Sequence, residues 1–188
     1  MKARLCSQNA HKLAELRAAL PDWELELLDA ADYPPEDGDT YEANARLKAR
    51  YGRSVGPDDA WMLGEDSGIE AAALDGAPGV HSARWASGSQ SSALLERLTG
   101  EQERTARMVT VIVALSPSGE ETVARGVLEG SIAPERRGAG GFGYEPIFIP
   151  AGHAETVAEL GDGWKREHSH RGRAAAALRA ALSGRTTS

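Results

Sequence analysis

The chain has 188 residues, 41% hydrophobic and 26% charged, the balance of a soluble globular protein, which excludes a disordered, collagenous or coiled-coil chain. Lys and Arg number 21 against 28 Asp and Glu, a net charge of −7 that disfavours general nucleic-acid binding. The single cysteine excludes an intrachain disulfide. No apolar run approaches a membrane span and the opening MKARLCSQNAHK lacks a signal-peptide core, so the expectation is one cytoplasmic domain over residues 1–188 with no nucleic-acid or membrane partner.

Residues 3–7 (ARLCS) read as a short strand on which Cys6 is a small buried apolar residue. Leu13, Leu16 and Leu20 follow at helical spacing, with Asn9 as N-cap and Pro21 as the stop, so the chain opens on a βα unit. ELELLD at 24–29 alternates like a strand and DYPPEDGD at 32–39 is an acidic loop. A helix is expected from about Tyr41 to Tyr51 behind an Asp39–Glu42 capping box, with Lys48 and Arg50 decorating its face. AWMLGED at 60–66 reads as a strand ending in two carboxylates, and SQSSALLERL at 89–98 as a short helix. Residues 105–115 and 121–129 flank a Pro117-Ser118-Gly119 turn as a hairpin. RRGAGGFGYEP at 136–146 is loop, IFI at 147–149 a brief strand, and 169–182 an alanine-rich helix. Both βα units and a hairpin occur, which implies a mixed sheet in an α/β fold.

Four stretches carry chemistry. SQNAHK at 7–12 joins a strand to a helix N-terminus, where free amides and the helix dipole suit phosphate and Lys12 can fold back on the same anion. Taken singly, Asn9 as a plain cap and Lys12 as a solvated charge serve as well. GEDSG at 64–68 sets two carboxylates side by side, which is costly without a cation or proton between them and suits Mg²⁺. The same letters also make an acidic turn. In GGFGYEP at 140–146 the glycines bare Phe142 for a flat ligand and Glu145 accepts from its edge; a core-plugging loop is the other reading. KREHSHRG at 165–172 gathers Lys165, His170 and Arg171 before a helix that Ser169 caps, a set suited to an anionic ligand or to a charged surface turn. Glu36 and Asp37 can complete a metal shell from the acidic loop, whereas His81 and His153 have no partner at a recognisable spacing. No nucleophile elbow is visible, so the site reads as hydrolytic through metal and water.

In this order, SQNAHKLAEL, TYEANARLKA, GEDSGIE, GAPGVHSARW, GGFGYEPIFIP and HSHRGRA resemble the inosine triphosphate pyrophosphatase family of non-canonical purine nucleoside triphosphate pyrophosphatases, over residues 7–174. The resemblance implies an elongated mixed β-sheet with flanking helices forming two lobes around a central cleft. It implies Mg²⁺-dependent hydrolysis of ITP, dITP and XTP to monophosphate and pyrophosphate by a homodimer. Carried onto this chain, Asp66 is the general base, and Glu36, Glu65 and Asp66 are metal ligands. Ser7, Gln8, Asn9, Ala10, His11, Lys12, Lys48 and Ser67 hold the phosphates, Phe142 stacks on the purine, and Gly143, Tyr144, Glu145, Lys165, His170 and Arg171 line the base pocket.

Several positions depart from the family's usual pattern. Ser7-Gln8-Asn9 stands for Thr-Gly-Asn, and His11 for Gly or Lys. Glu65 stands for the first Asp of Asp-Asp-Ser-Gly, Ala43 for the Glu of Glu-Asn-Ala, and Glu145 for the Asp of Phe-Gly-Tyr-Asp. These changes bear on substrate preference and metal geometry more than on reaction type. The alternatives are the same chemistry on another modified or canonical nucleotide, and a nucleotide-binding sensor with little turnover.

Overall fold

The computed structural model describes residues 1–184. Six strands form one mixed sheet in the order β2-β1-β3-β4-β5-β6. The first half is two βα units: β1 (Lys2–Leu5), α1 (Ala10–Ala19), β2 (Glu24–Leu27), α2 (Tyr41–Val55) and β3 (Trp61–Ala71), with β1 parallel to both β2 and β3. The second half is α3 (Gln90–Arg97), the antiparallel pair β4 (Thr105–Leu115) and β5 (Glu121–Ile132), then β6 (Phe148–Pro150), α4 (Val157–His168) and α5 (His170–Ser183).

Two expectations about the site's frame change. The strand does not end at the carboxylates: β3 runs on to Ala71, paired with β4 from Met62↔Leu115 to Ala71↔Ala106. That long antiparallel register overrides the local turn signal of Ser67-Gly68, so Glu65 and Asp66 lie mid-strand. The cap of α2 is Thr40, whose hydroxyl accepts from the Ala43 amide at 3.0 Å, and not Asp39. Helix α2 starts one residue later than a cap at Asp39 requires, and Asp39 stays exposed in the loop.

Successive side chains on a strand face opposite sides of the sheet, and this alternation sorts the core. Leu63, Ile112, Ala114 and Ala124 pack with Leu13 and Leu16 of α1 and Ala174 and Leu178 of α5. Met62, Val109, Val111 and Val113 face the other way, onto Tyr41, Ala45 and Ala49 of α2. Gly64 lies on the α2 side; a Cβ there would meet the Ala45 carbonyl oxygen at 1.8 Å, so bare backbone is what lets the helix sit against the strand. A third cluster, with Ile69, Met108, Leu128, Tyr144, Ile147 and Phe148, fills the far lobe. The long strands run through both lobes and leave the cleft between them.

Helix α4 has no counterpart in the sequence reading. Gly161, at φ 79°, kinks it, and Gly163 further dilutes its helical pattern, yet Thr156 and Glu159 form a reciprocal capping box at its start. That T-x-x-E spacing was the available signal.

Candidate active site

Because Glu65 and Asp66 are neighbours on a strand, they point to opposite faces, and each meets a different set of cations. Asp66 faces α2. Its Oδ2 accepts from Asn44 Nδ2 at 3.0 Å, and its Oδ1 lies 3.5 Å from Lys48 Nζ. Asn44 and Lys48 are one turn apart on α2, so both reach the same carboxylate. The Asn44 side-chain Oδ1 also accepts from the Gly38 amide at 2.8 Å, tying the acidic loop to this point. Glu36, from that loop, lies 2.8 Å from Lys48 Nζ. Lys48 is therefore buried between two carboxylates, not decorating a helix face, while Arg50 is exposed as expected. Burial raises the Asp66 carboxyl above an ordinary aspartate; Lys48 and Asn44 pull against this, and Glu65 adds to it.

Glu65 faces α1 and α5 and has no exposed surface. Its Oε2 lies 2.6 Å from Lys12 Nζ, and its Oε1 accepts from Arg171 Nε and Nη2, each at 3.1 Å. Burial alone would raise this carboxyl, but Lys12, Arg171 and Lys48 outweigh it and hold Glu65 well below the usual carboxylate range. Arg171 Nη2 also donates to Ser67 Oγ at 3.1 Å.

Of the three carboxylates expected around a metal, the fold brings Glu36 and Asp66 together and turns Glu65 to the other face. Among the described residues no group of three or more His, Cys, Asp or Glu converges as a metal cage. Glu36 and Asp66, which share the Lys48 ammonium, are the pair of carboxylates that would fit Mg²⁺, which takes one or two protein carboxylates and completes its shell with water and substrate phosphate.

In the first loop, Asn9 Oδ1 accepts from the amides of His11 and Lys12 at 3.0 and 3.1 Å, and Ser7 Oγ accepts from the Asn9 amide at 3.1 Å. Capping thus uses two amides that an anion could otherwise take. Gln8 and Ala10 are exposed. His11 is turned away from a phosphate role: its ring stacks on Phe142, with centroids 5.1 Å apart and planes inclined by 20°.

The residues expected around the base form a second cluster. Glu145, buried, accepts through Oε2 from the Phe142 amide at 3.0 Å and from Lys165 Nζ at 3.2 Å. Burial, reinforced by Glu15 and opposed by Lys165, pushes its carboxyl up to about 7. The left-handed backbone of Gly141, φ 77°, forms the turn; a Cβ there would strike Glu145 Oε2 at 2.5 Å. Lys165 Nζ and the Arg171 guanidinium carbon lie 5.9 and 5.7 Å from the Phe142 ring centre. The Tyr144 hydroxyl is committed to the Ser82 carbonyl at 3.0 Å, so it braces the loop. His170 is pushed down to about 3, by burial first and then by Arg171, and its Nδ1 has no hydrogen-bond partner among the described residues. Phe142 is the shared wall of two cavities: one reaches Lys12, Ser67 and Arg171, the other His11, Glu15 and Lys165.

Lys165 sits on α4, not in a surface turn, and His170 and Arg171 open α5. A single residue joins them: the Ser169 amide donates to the Lys165 carbonyl at 3.1 Å, and its Oγ accepts from the Gly172 amide at 3.0 Å. Sequence reasoning missed two residues here. Glu15 of α1 lies 2.8 Å from Lys165 Nζ and is hydrogen-bonded to Arg171; Asn44 orients Asp66. Glu15 reads in sequence as an ordinary helix-surface charge, and its partners are 150 and more residues away. Asn44 falls on the apolar face of α2 among Tyr41, Ala45 and Ala49, which was the signal available for it. His81 and His153 stay outside the site; His153 packs edge-on against Trp164.

The family model described as the Ham1 family matches residues 3–181. A dITP/XTP pyrophosphatase of Bdellovibrio bacteriovorus is 42% identical over 97% of this chain and 96% of its own length. The Ham1 protein of Staphylococcus aureus superposes with a TM-score of 0.83 at 32% identity, covering 98% of this chain and all of that one. A HAM1 protein from Coxiella burnetii gives 0.84 at 36%, covering 98% and 99%. With the mixed six-stranded sheet and the matched length, this chain belongs to the Ham1 family.

Proposed function

We propose that this chain hydrolyses the triphosphates of deaminated purines, ITP, dITP and XTP, to the monophosphate and pyrophosphate, and so clears them from the nucleotide pool. The observation that carries the reading is Asp66, a buried carboxylate of raised pKa held by Asn44 beside Lys48; the next residue on β3, Ser67, lines a cavity walled by Phe142 and Arg171. The name of the Bdellovibrio relative supports the same substrate class.

Asp66 orients a water and takes its proton as the water oxygen bonds to the α-phosphorus; the bond from that phosphorus to the bridging oxygen breaks, and pyrophosphate leaves with the electron pair. Lys12 and Lys48 neutralise charge on the phosphates. Glu36 and Asp66 would hold Mg²⁺, which supplies further charge neutralisation at the phosphoryl oxygens. Phe142 stacks on the base, while Lys165 and Arg171 donate to the carbonyl at C6. Adenine carries an amino donor there, so buried donors would face a donor, a mismatch that can discriminate by about 10⁴-fold.

The working unit on this reading is a cytoplasmic homodimer without nucleic-acid or membrane partners. Among the described residues, no helix is long and apolar enough to cross a membrane. The test is pyrophosphate release from ITP, dITP, XTP, GTP, ATP and dTTP with Mg²⁺. Preference for the first three is the expected result. A flat profile discards the substrate and keeps the chemistry, and ITP binding without release makes the protein a sensor.

A further inference from the structure

Helix α1 presents two side chains to the wall where the purine is placed above. His11 and Glu15 are one turn apart and share a helix face. The imidazole lies nearly parallel to Phe142, with centroids 5.1 Å apart. A base inserted between two parallel rings needs about 7 Å, twice a van der Waals separation, so none fits between these two. Glu15 meanwhile takes Lys165 Nζ at 2.8 Å and bonds to Arg171, the two donors assigned to the C6 carbonyl. Glu15 thereby holds Lys165 in the cavity that His11 and Phe142 also line, while Arg171 lines the cavity on which Phe142 is the shared wall.

We propose that His11 stands in for the nucleobase in the substrate-free protein, stacking where the purine will stack and leaving when it arrives. The proposal rests on the reading of Phe142, Lys165 and Arg171 as the base pocket. Its physical content is a competition: every purine that binds must first displace a ring already in contact, so affinity is lower than the pocket alone would give. His11 is exposed and near a helix terminus, so its side chain can rotate outward without moving the backbone. The Asn9 cap holds the residue-11 amide whatever the side chain.

The experiment compares wild type with His11→Ala and His11→Phe, measuring the KM for ITP and, separately, the Kd for IMP by calorimetry. Alanine is a good helix former and removes the competing ring. An aromatic contact of ordinary strength predicts that His11→Ala lowers both constants by about 3- to 10-fold, with His11→Phe at or above wild type. A rise in both constants for His11→Ala makes His11 part of the occupied pocket and overturns the proposal. Constants within error of wild type make the stack incidental and overturn it as well. If wild type neither binds IMP nor hydrolyses ITP, the functional reading fails and takes this one with it, a result visible before any variant is made.

Discussion

The two faces of β3 carry adjacent carboxylates that the fold treats in opposite ways. On the α2 face, Asp66 has one amide donor, one lysine at 3.5 Å and a raised pKa. On the α1–α5 face, Glu65 is clamped by Lys12 and by two bonds from Arg171, and its pKa is depressed. Adjacent positions in the chain therefore meet different surroundings: burial raises the Asp66 carboxyl, while the cations around Glu65 outweigh burial and lower it.

The largest expected effect breaks the clamped side. Glu65→Ala leaves Lys12 without its buried counter-charge and Arg171 with Glu15 alone, and should cost about 3–5 kcal/mol, read as a lower denaturant midpoint. The same contrast has a pH signature. Glu65 has a folded pKa below its unfolded value, so its contribution to stability is present above about pH 4.3 and is lost as pH falls toward the folded value. Asp66 has the opposite sign: its raised pKa favours folding below about pH 3.9, and that contribution is lost as pH rises through the folded value. Next in size, Asp66→Asn should cut kcat by at least about 10²-fold with ITP binding kept; near-normal turnover would remove Asp66 from the base role.

Asn44→Ala sharpens the comparison more gently. It removes the hydrogen bond that favours the Asp66 carboxylate, so the acid limb of kcat/KM should move to higher pH, and an unmoved limb would mean that a different group titrates there. Smallest is Phe142→Ala, which lies off the strand altogether. Loss of base stacking should raise KM for ITP by about 3- to 10-fold, leaving the acid limb in place.

How much of this was legible in the sequence depends on where each signal came from. Asn9, the leucines of α1 and the Pro117-Ser118-Gly119 turn act through near neighbours, and the elements they predict stand where expected. The length of β3 depends on pairing with β4, which lies some forty residues on, and Ser67-Gly68 looks locally like a turn. Lys48 and Glu15 failed for a related reason. A lone charge on a helix reads as solvated, and only the tertiary fold supplies the counter-charges that bury it. The motif order brought Phe142, Lys165 and Arg171 onto one wall, but the opposed directions of Glu65 and Asp66 follow only once strand alternation is applied at mid-strand.

The Ser169 junction makes the wall proposed to read the base one mechanical part. Gly172 belongs to the same device, since a Cβ there would meet the Arg166 carbonyl oxygen at 2.4 Å and force the two helices apart. With only Ser169 between α4 and α5, the two helices are tightly coupled, and an inserted residue would swing Arg171 by about 100° around its helix axis. On the proposed function, substrate fidelity is then a matter of tolerance at one corner: drift in that elbow would disturb the wall proposed to read the base and leave Asp66 untouched.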